Sequence, residues 1–399
     1  MGNGKTAVRL RHSIVSLFKW TSDPSLNRTL IGFFKKREID NSKKFFDWVA
    51  NQYLDWFYES SSTKVISYFV AILIPFVIWV EKENINTARD VLTVLLERSE
   101  AIALISAVTL FFKEARSRKR QAHYSAWQVI DNAVGNPASY ARYQALQDLN
   151  SDNIKLEGLS SPSAYLPGIN LKEAYLVRAN LEKSQLMDAD LTSAVLSWID
   201  LTDADLTSAI LKGAQSYKAI LKGVKLANAK LNHSRFNYAD FSEGSERSVL
   251  DEADFSYADF GKCNFNGASL VGATFYKTYC SANLVNTDLS YARLEDSDFS
   301  NADLSQANLD YTEIKNTDFR HADLSHANLR NSSLINVNFE NANLSHVDLQ
   351  GVNLSYVNLT NADLSNAKLD FFIHPNEKPI LAKAKNLPST IKMQIDSRN

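Results

Sequence analysis

A five-residue phrase dominates the chain. Its clearest part reads Ala302-Asp303-Leu304, Ala307-Asn308-Leu309, Thr317-Asp318-Phe319, Ala322-Asp323-Leu324, Ala327-Asn328-Leu329. A period of five fits neither the 3.6-residue helix nor the two-residue strand. Each unit must point one large and one small side chain inward and use the other three residues to turn a corner. With the Leu304 position taken as the centre, eighteen consecutive centres from Leu284 to Leu369 are Leu, Ile or Phe. The residue before the centre is Asp or Asn in fourteen of the eighteen, the exceptions being Arg293, Glu313, Ser333 and Lys368. A carboxylate pair at catalytic spacing therefore arises from the repeat alone, so no such pair marks an active site.

The phrase Ala-Asp/Asn-Leu-x-x resembles the consensus of the pentapeptide-repeat family, over a little more than half of the chain. The resemblance implies an all-β solenoid, a right-handed quadrilateral β-helix with four pentads per coil. Aromatic residues read as centres at Tyr279, Phe299, Phe319 and Phe339 recur every twenty residues and predict one stacked wall. From Leu156 to Phe371 the count is about 43 pentads, hence ten to eleven coils and a rod of roughly 50 Å at the usual inter-strand spacing. Ser161 and Ser216 are imperfect centres. Two phase slips, Phe241 to Leu250 and Phe275 to Leu284, each advance by nine residues instead of ten and predict local bulges or loops.

Charge is unevenly spread along the 399 residues. Residues 1–155 hold 21 basic and 15 acidic residues, residues 156–371 hold 17 and 28, and the tail holds 5 and 2. Two cysteines, Cys263 and Cys280, are too few for a disulfide framework or a zinc site.

The non-repeat parts give five segments: 1–62, a basic and aromatic helical region; 63–113, a membrane hairpin; 114–155, a helical adaptor and cap; 156–371, the β-helix; and 372–399, a C-terminal cap and tail. Phe45 to Phe57 carry an aromatic face at three-to-four spacing, and five of the six tryptophans precede the repeats, a distribution that suits a membrane interface. Val65 to Val80 is a sixteen-residue run without a charge, bounded by Lys64 and Glu81. Ala101 to Phe112 is shorter, and reading it back to about residue 91 makes a second span at the cost of burying Glu97, Arg98 and Glu100. One and two transmembrane helices both remain open; basic residues on both sides favour the hairpin, with the repeat domain on the cytoplasmic side of a multi-pass membrane protein. The anchor residues on this reading are Trp56, Lys64, Trp79, Arg116, Arg118, Lys119 and Arg120, the last four facing anionic headgroups. One helix of the 121–155 adaptor is expected to cover the first coil, and Phe371-Phe372-Ile373 to close the last one before the tail caps the rod and frays.

The functional expectation is a membrane-anchored, non-enzymatic scaffold or protein-interaction module without cofactor or metal. Its partners are a lipid bilayer and a protein, with nothing pointing to nucleic acid or a small-molecule substrate. Membrane-anchored relatives of cyanobacterial type are similar in layout. The alternative implied by the resemblance is a DNA mimic acting on DNA gyrase, which the acidic solenoid permits and the basic stretch Lys212 to Arg235 opposes. Candidate surface residues are Trp198, the acidic group Glu243, Glu246, Asp251 and Glu252 at the first slip, and His326 and His346, which fall one coil apart.

Overall fold

The computed structural model describes Thr93, residues 99–370 and residues 376–396. Two compact units divide the chain near His123. Helix α1 (Ser99–Asn132) is 34 residues long and contains both the Ala101–Phe112 run and the basic cluster. No Pro or Gly interrupts it, and it stops just before Gly135 and Pro137. Ala126, Trp127, Val129 and Ile130 of the adaptor segment form the last turns of α1. Among the described residues no helix is long and apolar enough to cross a membrane. The Val65–Val80 run, the aromatic face at Phe45 to Phe57 and residues Trp56, Lys64 and Trp79 lie outside the described residues. Arg116, Arg118, Lys119 and Arg120 are exposed on α1, with Arg118 3.4 Å from Glu114.

In the second unit, Ala126, Trp127, Val129 and Ile130 of α1 and Ala145, Leu146 and Leu149 of α2 (Tyr140–Ser151) join the apolar core that continues into the solenoid. Between the two helices Arg142 is buried, and its guanidinium donates to the carbonyls of Ala133 (3.2 Å), Asn136 (2.9 Å) and Pro137 (2.6 Å). These carbonyls belong to a helix end and the turn after it, where backbone acceptors lack intrahelical partners. Across the start of the solenoid, Asn150 donates to the Lys172 carbonyl and Gln147 accepts from the Asn170 N–H. Helix α2 thus lies over the first coils, where an open apolar cross-section would otherwise meet water.

From Ser160 onward, the residue before each centre pairs in parallel with its equivalent one coil later: Ser160 with Asn180, Asn180 with Asp200, Asp200 with Ile220. Twenty residues at five per wall give four walls. Centres and small residues alternate in the interior, from Leu156 to Leu364, nearly all fully buried. Nearly every corner places its second residue after the centre at φ between +50° and +79°, Glu243, Ala282 and Tyr356 being the exceptions; this is the left-handed region that most L-residues rarely occupy.

Asp and Asn precede the centres for a reason the structure supplies. Their side-chain oxygen accepts the backbone N–H two residues on, as in Asp303 with Ser305 (3.0 Å) and Asp323 with Ser325 (2.8 Å), an Asx turn that satisfies a donor at the corner. On one wall of the C-terminal coils, three residues that are neither Asp nor Asn go with a change of form. Arg293, Glu313 and Ser333, three of the four exceptions, open strands β2 (Arg293–Glu295), β3 (Glu313–Lys315) and β4 (Ser333–Ile335), which with β1 (Thr274–Tyr276) make a continuous parallel ladder. A hydroxyl then holds the following corner: Thr278, Ser297 and Thr317 donate to the carbonyls of Phe255, Phe275 and Leu294 in the preceding coil. Strands β5 (Val337–Asn338) and β6 (Val357–Asn358) pair similarly.

The two slips, alike in length, are opposite in kind. At the first, Lys225 pairs with Val249 and Asp240 with Asn264, so that coil holds twenty-four residues and the slip is an insertion of four. At the second, Asn264 pairs with Asn283 and Tyr279 with Asp298, so the coil holds nineteen and one residue is deleted. This corrects the aromatic wall. Tyr279 faces outward, and the centre is the buried Cys280 beside it. Phe299, Phe319 and Phe339 stack one coil apart with ring-centroid separations of 5.4 and 5.3 Å, and Phe275, in register with Leu294 on the neighbouring wall, meets Phe299 edge-on at 5.5 Å.

At the far end, helices α3 (Lys378–Leu381) and α4 (Ser389–Asp396) bring Leu381 and Ile391 into the core. The Lys385 N–H donates to Ala362, Leu364 donates to Lys385, and buried Glu377 accepts from the Leu354 N–H. The tail therefore extends the last coil and covers it. Phe371 to Ile373 lie outside the described residues.

Candidate interaction surface

The corners decide what this solenoid shows to a partner, because their second residues project at fixed twenty-residue intervals. One column begins at Trp198, which is 48% exposed at φ +62°. One coil later comes Lys218, whose ammonium lies 4.7 Å from the Trp198 ring centroid and 5.5 Å from that of Tyr217. Tyr238 follows at φ +62°, its ring 5.6 Å from Tyr217, and after the twenty-four-residue coil Lys262 reaches over Tyr238 at 5.4 Å. Rings and cations alternate along one edge. Each cation–ring contact of this exposed kind is worth about 0.5–1 kcal/mol. Trp198 was legible in the sequence as an outward residue; Tyr217, Lys218, Tyr238 and Lys262 were not. The spacing 198, 218, 238, 262 would have revealed them had the first slip been read as an insertion.

The acidic group at the first slip divides into parts. Residues 242–248 fold back across the two preceding coils, where the Ser245 N–H donates to Asp203 (2.8 Å) and the Lys225 ammonium lies 3.5 Å from Glu246. Gly223 and Gly244 allow that approach: a Cβ on Gly223 would come within 3.1 Å of Gly244 Cα and run into Asp203. Arg247 then clamps the next coil through the carbonyls of Gly267 (2.7 Å) and Ala268 (2.8 Å). Glu243 and Glu246 are exposed. Asp251 is half-buried and accepts the Val271 N–H, and Glu252 occupies a corner at φ +58°. The four carboxylates do not converge on one point of contact.

His326 and His346 stack with centroids 4.4 Å apart, and the Asn366 amide lies 3.3 Å from His346 Nε2. Among the described residues no group of three His, Cys, Asp or Glu side chains is arranged to hold a metal. Cys263 and Cys280 are both buried, free thiols. Burial pushes both thiols well above their ordinary range, away from the reactive thiolate, and Cys263 Sγ lies 2.7 Å from the Phe236 carbonyl.

The pentapeptide-repeat family model matches in eight copies over residues 163–192, 184–223, 199–237, 248–279, 282–320, 312–351 and 332–370. The repeat-bearing chain belongs to the pentapeptide-repeat family. The matched stretches break at 238–247 and 280–281, which are the two slips. Among solved structures, HetL, a pentapeptide repeat protein involved in heterocyst differentiation regulation from the cyanobacterium Nostoc sp. Strain PCC 7120, is 27% identical, with 51% of this chain and 90% of that chain covered and a TM-score of 0.27. Full-length QnrB1, a plasmid-mediated fluoroquinolone resistance protein, is 18% identical over 53% of this chain and 93% of its own, with a TM-score of 0.25. A pentapeptide repeat protein from the Arabidopsis thaliana thylakoid lumen is 23% identical over 30% and 90%, with a TM-score of 0.19. No match is found among curated proteins.

Proposed function

We propose that the chain is a non-enzymatic interaction module whose solenoid presents an extended surface to a protein partner while the N-terminal region holds it at a membrane. The observation that carries the first half is where the repeat spends its polar groups. The recurrent carboxylates serve as Asx acceptors, as at Asp298, Asp303 and Asp323, so the groups most able to do chemistry are committed to holding corners. The interior is mostly apolar, apart from buried hydroxyls such as Ser161 and Ser216. What varies from coil to coil is the outward surface, and variation on a fixed frame is how repeat arrays recognise partners.

The membrane half rests on the sequence. Sixteen uncharged residues from Val65 to Val80 and the basic residues Arg116, Arg118, Lys119 and Arg120 suit a hydrophobic segment followed by headgroup contacts, with the repeats on the cytoplasmic side. Carbonate washing of membranes carrying the full chain tests the anchor, with a deletion of residues 63–113 as comparison. Retention of the full chain and release of the deletion variant are expected; release of both sinks the anchor. DNA mimicry is the weaker reading, because Lys212, Lys218, Lys222, Lys225, Lys230 and Arg235 interrupt the acidic surface a duplex mimic needs.

A further inference from the structure

The edge that begins at Trp198 has a counterpart. Register places the outward residues Val195, Gln215, Arg235, Asp259 and Tyr279 in one ladder. The column Trp198, Lys218, Tyr238, Lys262 bounds it on the side that follows in sequence. On the preceding side a second column runs His233, Tyr257, Lys277. There His233 and Tyr257 stack at 4.8 Å, Tyr257 meets Tyr276 edge-on at 5.3 Å, and the Lys277 ammonium lies 5.1 Å from the Tyr276 ring centroid. One wall of the solenoid is thus framed on both sides by aromatic rings and cations. Tyr279 completes it, 44% exposed and seated against Gly261, where an added Cβ would fall 3.1 Å from the ring. Arg235, Lys218, Lys262 and Lys277 set four cations on this wall and its edges against Asp259, whose Oδ1 is taken by the Asn237 amide and the Gly261 N–H, and against Asp296, which follows Lys277 one coil on and marks the end of the basic face.

Backbone conformation adds a second, independent observation. Among sixteen left-handed corners from Ser193 to Lys277 only Asn228 is an asparagine, whereas eight of the sixteen from Asn286 to Asn366 are. Trp198, Tyr238 and Tyr257 occupy such corners, where bulky side chains are disfavoured, as do Tyr291 and Tyr311 in the C-terminal coils; in the middle coils each of these rings also has a lysine ammonium over it.

We propose that this wall, from Trp198 to Tyr279, is the docking face for an acidic segment of a protein partner. The inference rests on the interaction-module reading and names the partner's chemistry. Charge complementarity selects an acidic ligand. Ring geometry selects a peptide over a nucleic acid strand, because bases need open ring faces to stack on. Here Lys218 covers Trp198, His233 covers Tyr257, and neighbouring rings meet edge-on, Trp198 with Tyr217 at 75° and Tyr217 with Tyr238 at 69°. Rings already held by their neighbours lose little freedom on binding, and their phenol hydroxyls donate to carboxylates.

The test uses the full chain in detergent with a fluorescein-labelled dodecapeptide of Asp and Glu, read by anisotropy over a salt series, and a twelve-residue oligothymidylate as comparison ligand. Saturable, salt-sensitive peptide binding is expected. It should weaken at least about tenfold in the triple variant Lys218→Gln, Lys262→Gln, Lys277→Gln and in Trp198→Ala with Tyr238→Ala, and stay unchanged in Tyr291→Ala with Tyr311→Ala, a stacked pair on a different corner. No peptide binding, equal loss in the control pair, or tighter oligothymidylate binding lost through the same three lysines would each overturn the proposal. Photo-crosslinking in intact membranes separates its failure from that of the wider reading. Adducts from position 238 attached to acidic sequence support the face. Adducts only from positions elsewhere on the rod remove the face and keep the interaction module, and no adduct from any wall removes both.

Discussion

The middle of the solenoid, residues 193–279, and its C-terminal section, residues 282–370, share one backbone plan and use it for opposite ends. In the C-terminal section every coil has twenty residues, and amide side chains run as ladders: Asn308 donates to Asp288 (3.0 Å), Asn328 to Asn308 (2.9 Å), Asn343 to Asp323 (3.0 Å), Asn358 to Asn338 (2.9 Å). Its thirteen acidic and five basic residues leave it strongly negative, and its surface polar groups mostly serve one another. The middle section holds the twenty-four- and nineteen-residue coils, aromatic corners with cations over their rings, and ladder positions such as Gln215 that pair through the backbone alone. A regular coil satisfies itself; an irregular one with such corners is shaped for something outside it.

The largest effect should come from the core of the middle section. Phe260 packs against Phe236, Phe241, Phe255 and Phe265 with centroid separations of 5.0 to 6.1 Å. Phe260→Ala is expected to cost about 3–5 kcal/mol. Because each coil contacts only its neighbours, that loss should appear in hydrogen exchange as opening confined to the middle coils. Uniform loss of protection from end to end would show that the two sections do not differ in cooperativity.

Much of this fold could be read from the residues. Period, small and large inward positions and the four walls follow from side-chain size at fixed spacing, which the chain states over and over. Both slips could be located and read as bulges or loops. That the first is an inserted loop and the second a deletion could not be read, since an advance of nine is both five plus four and ten minus one, and only pairing across coils tells them apart. Tyr279 was misread for the same reason: an aromatic residue looked like a centre, whereas Cys280 next to it is the residue that points inward. Three of the exceptions, Arg293, Glu313 and Ser333, are where the Asx turn gives way to a ladder. The interaction surface was harder still, because its rings lie twenty or more residues apart and acquire meaning only as neighbours.

A smaller effect separates the two sections at equivalent ladder positions. Asn308 makes three side-chain bonds, donating to Asp288 and accepting from Asn328 and the Asp310 N–H. Asn308→Ala should cost about 1–2 kcal/mol, measurable by denaturant titration. Gln215→Ala, in the middle ladder, should fall within about 0.5 kcal/mol of the parent. Equal costs would erase the distinction between a self-satisfied wall and an available one.

Acid should loosen the C-terminal section at its cap first. Burial alone would raise the Asp363 carboxyl, but the Ser365 N–H (2.9 Å), the Asn386 amide (3.1 Å) and the nearby Lys385 hold it below the ordinary range. With its folded-state value below the unfolded one of about 3.9, its stabilisation is complete above that pH and is lost as pH falls through the folded-state value. Hydrogen exchange over residues 376–396 should therefore speed up relative to the middle coils below about pH 4, and Asp363→Asn should remove that dependence. An unchanged profile in the variant would assign the acid response to other carboxylates.

The smallest expected change in stability is the most informative. Tyr238 sits at φ +62° with Lys262 over its ring and Tyr217 at its edge. Tyr238→Asn would relieve a left-handed conformation that costs an ordinary L-residue about 1–2 kcal/mol and Asn less, while losing a cation–ring contact worth about 0.5–1 kcal/mol and an aromatic pair of similar size. The terms nearly cancel, so stability should move by no more than about 0.5 kcal/mol in either direction. Acidic-peptide binding should nonetheless fall. A corner whose exchange for asparagine leaves stability unchanged is not retained for the fold, whereas a large destabilisation would make Tyr238 a structural residue and return the middle section to the same category as the C-terminal one.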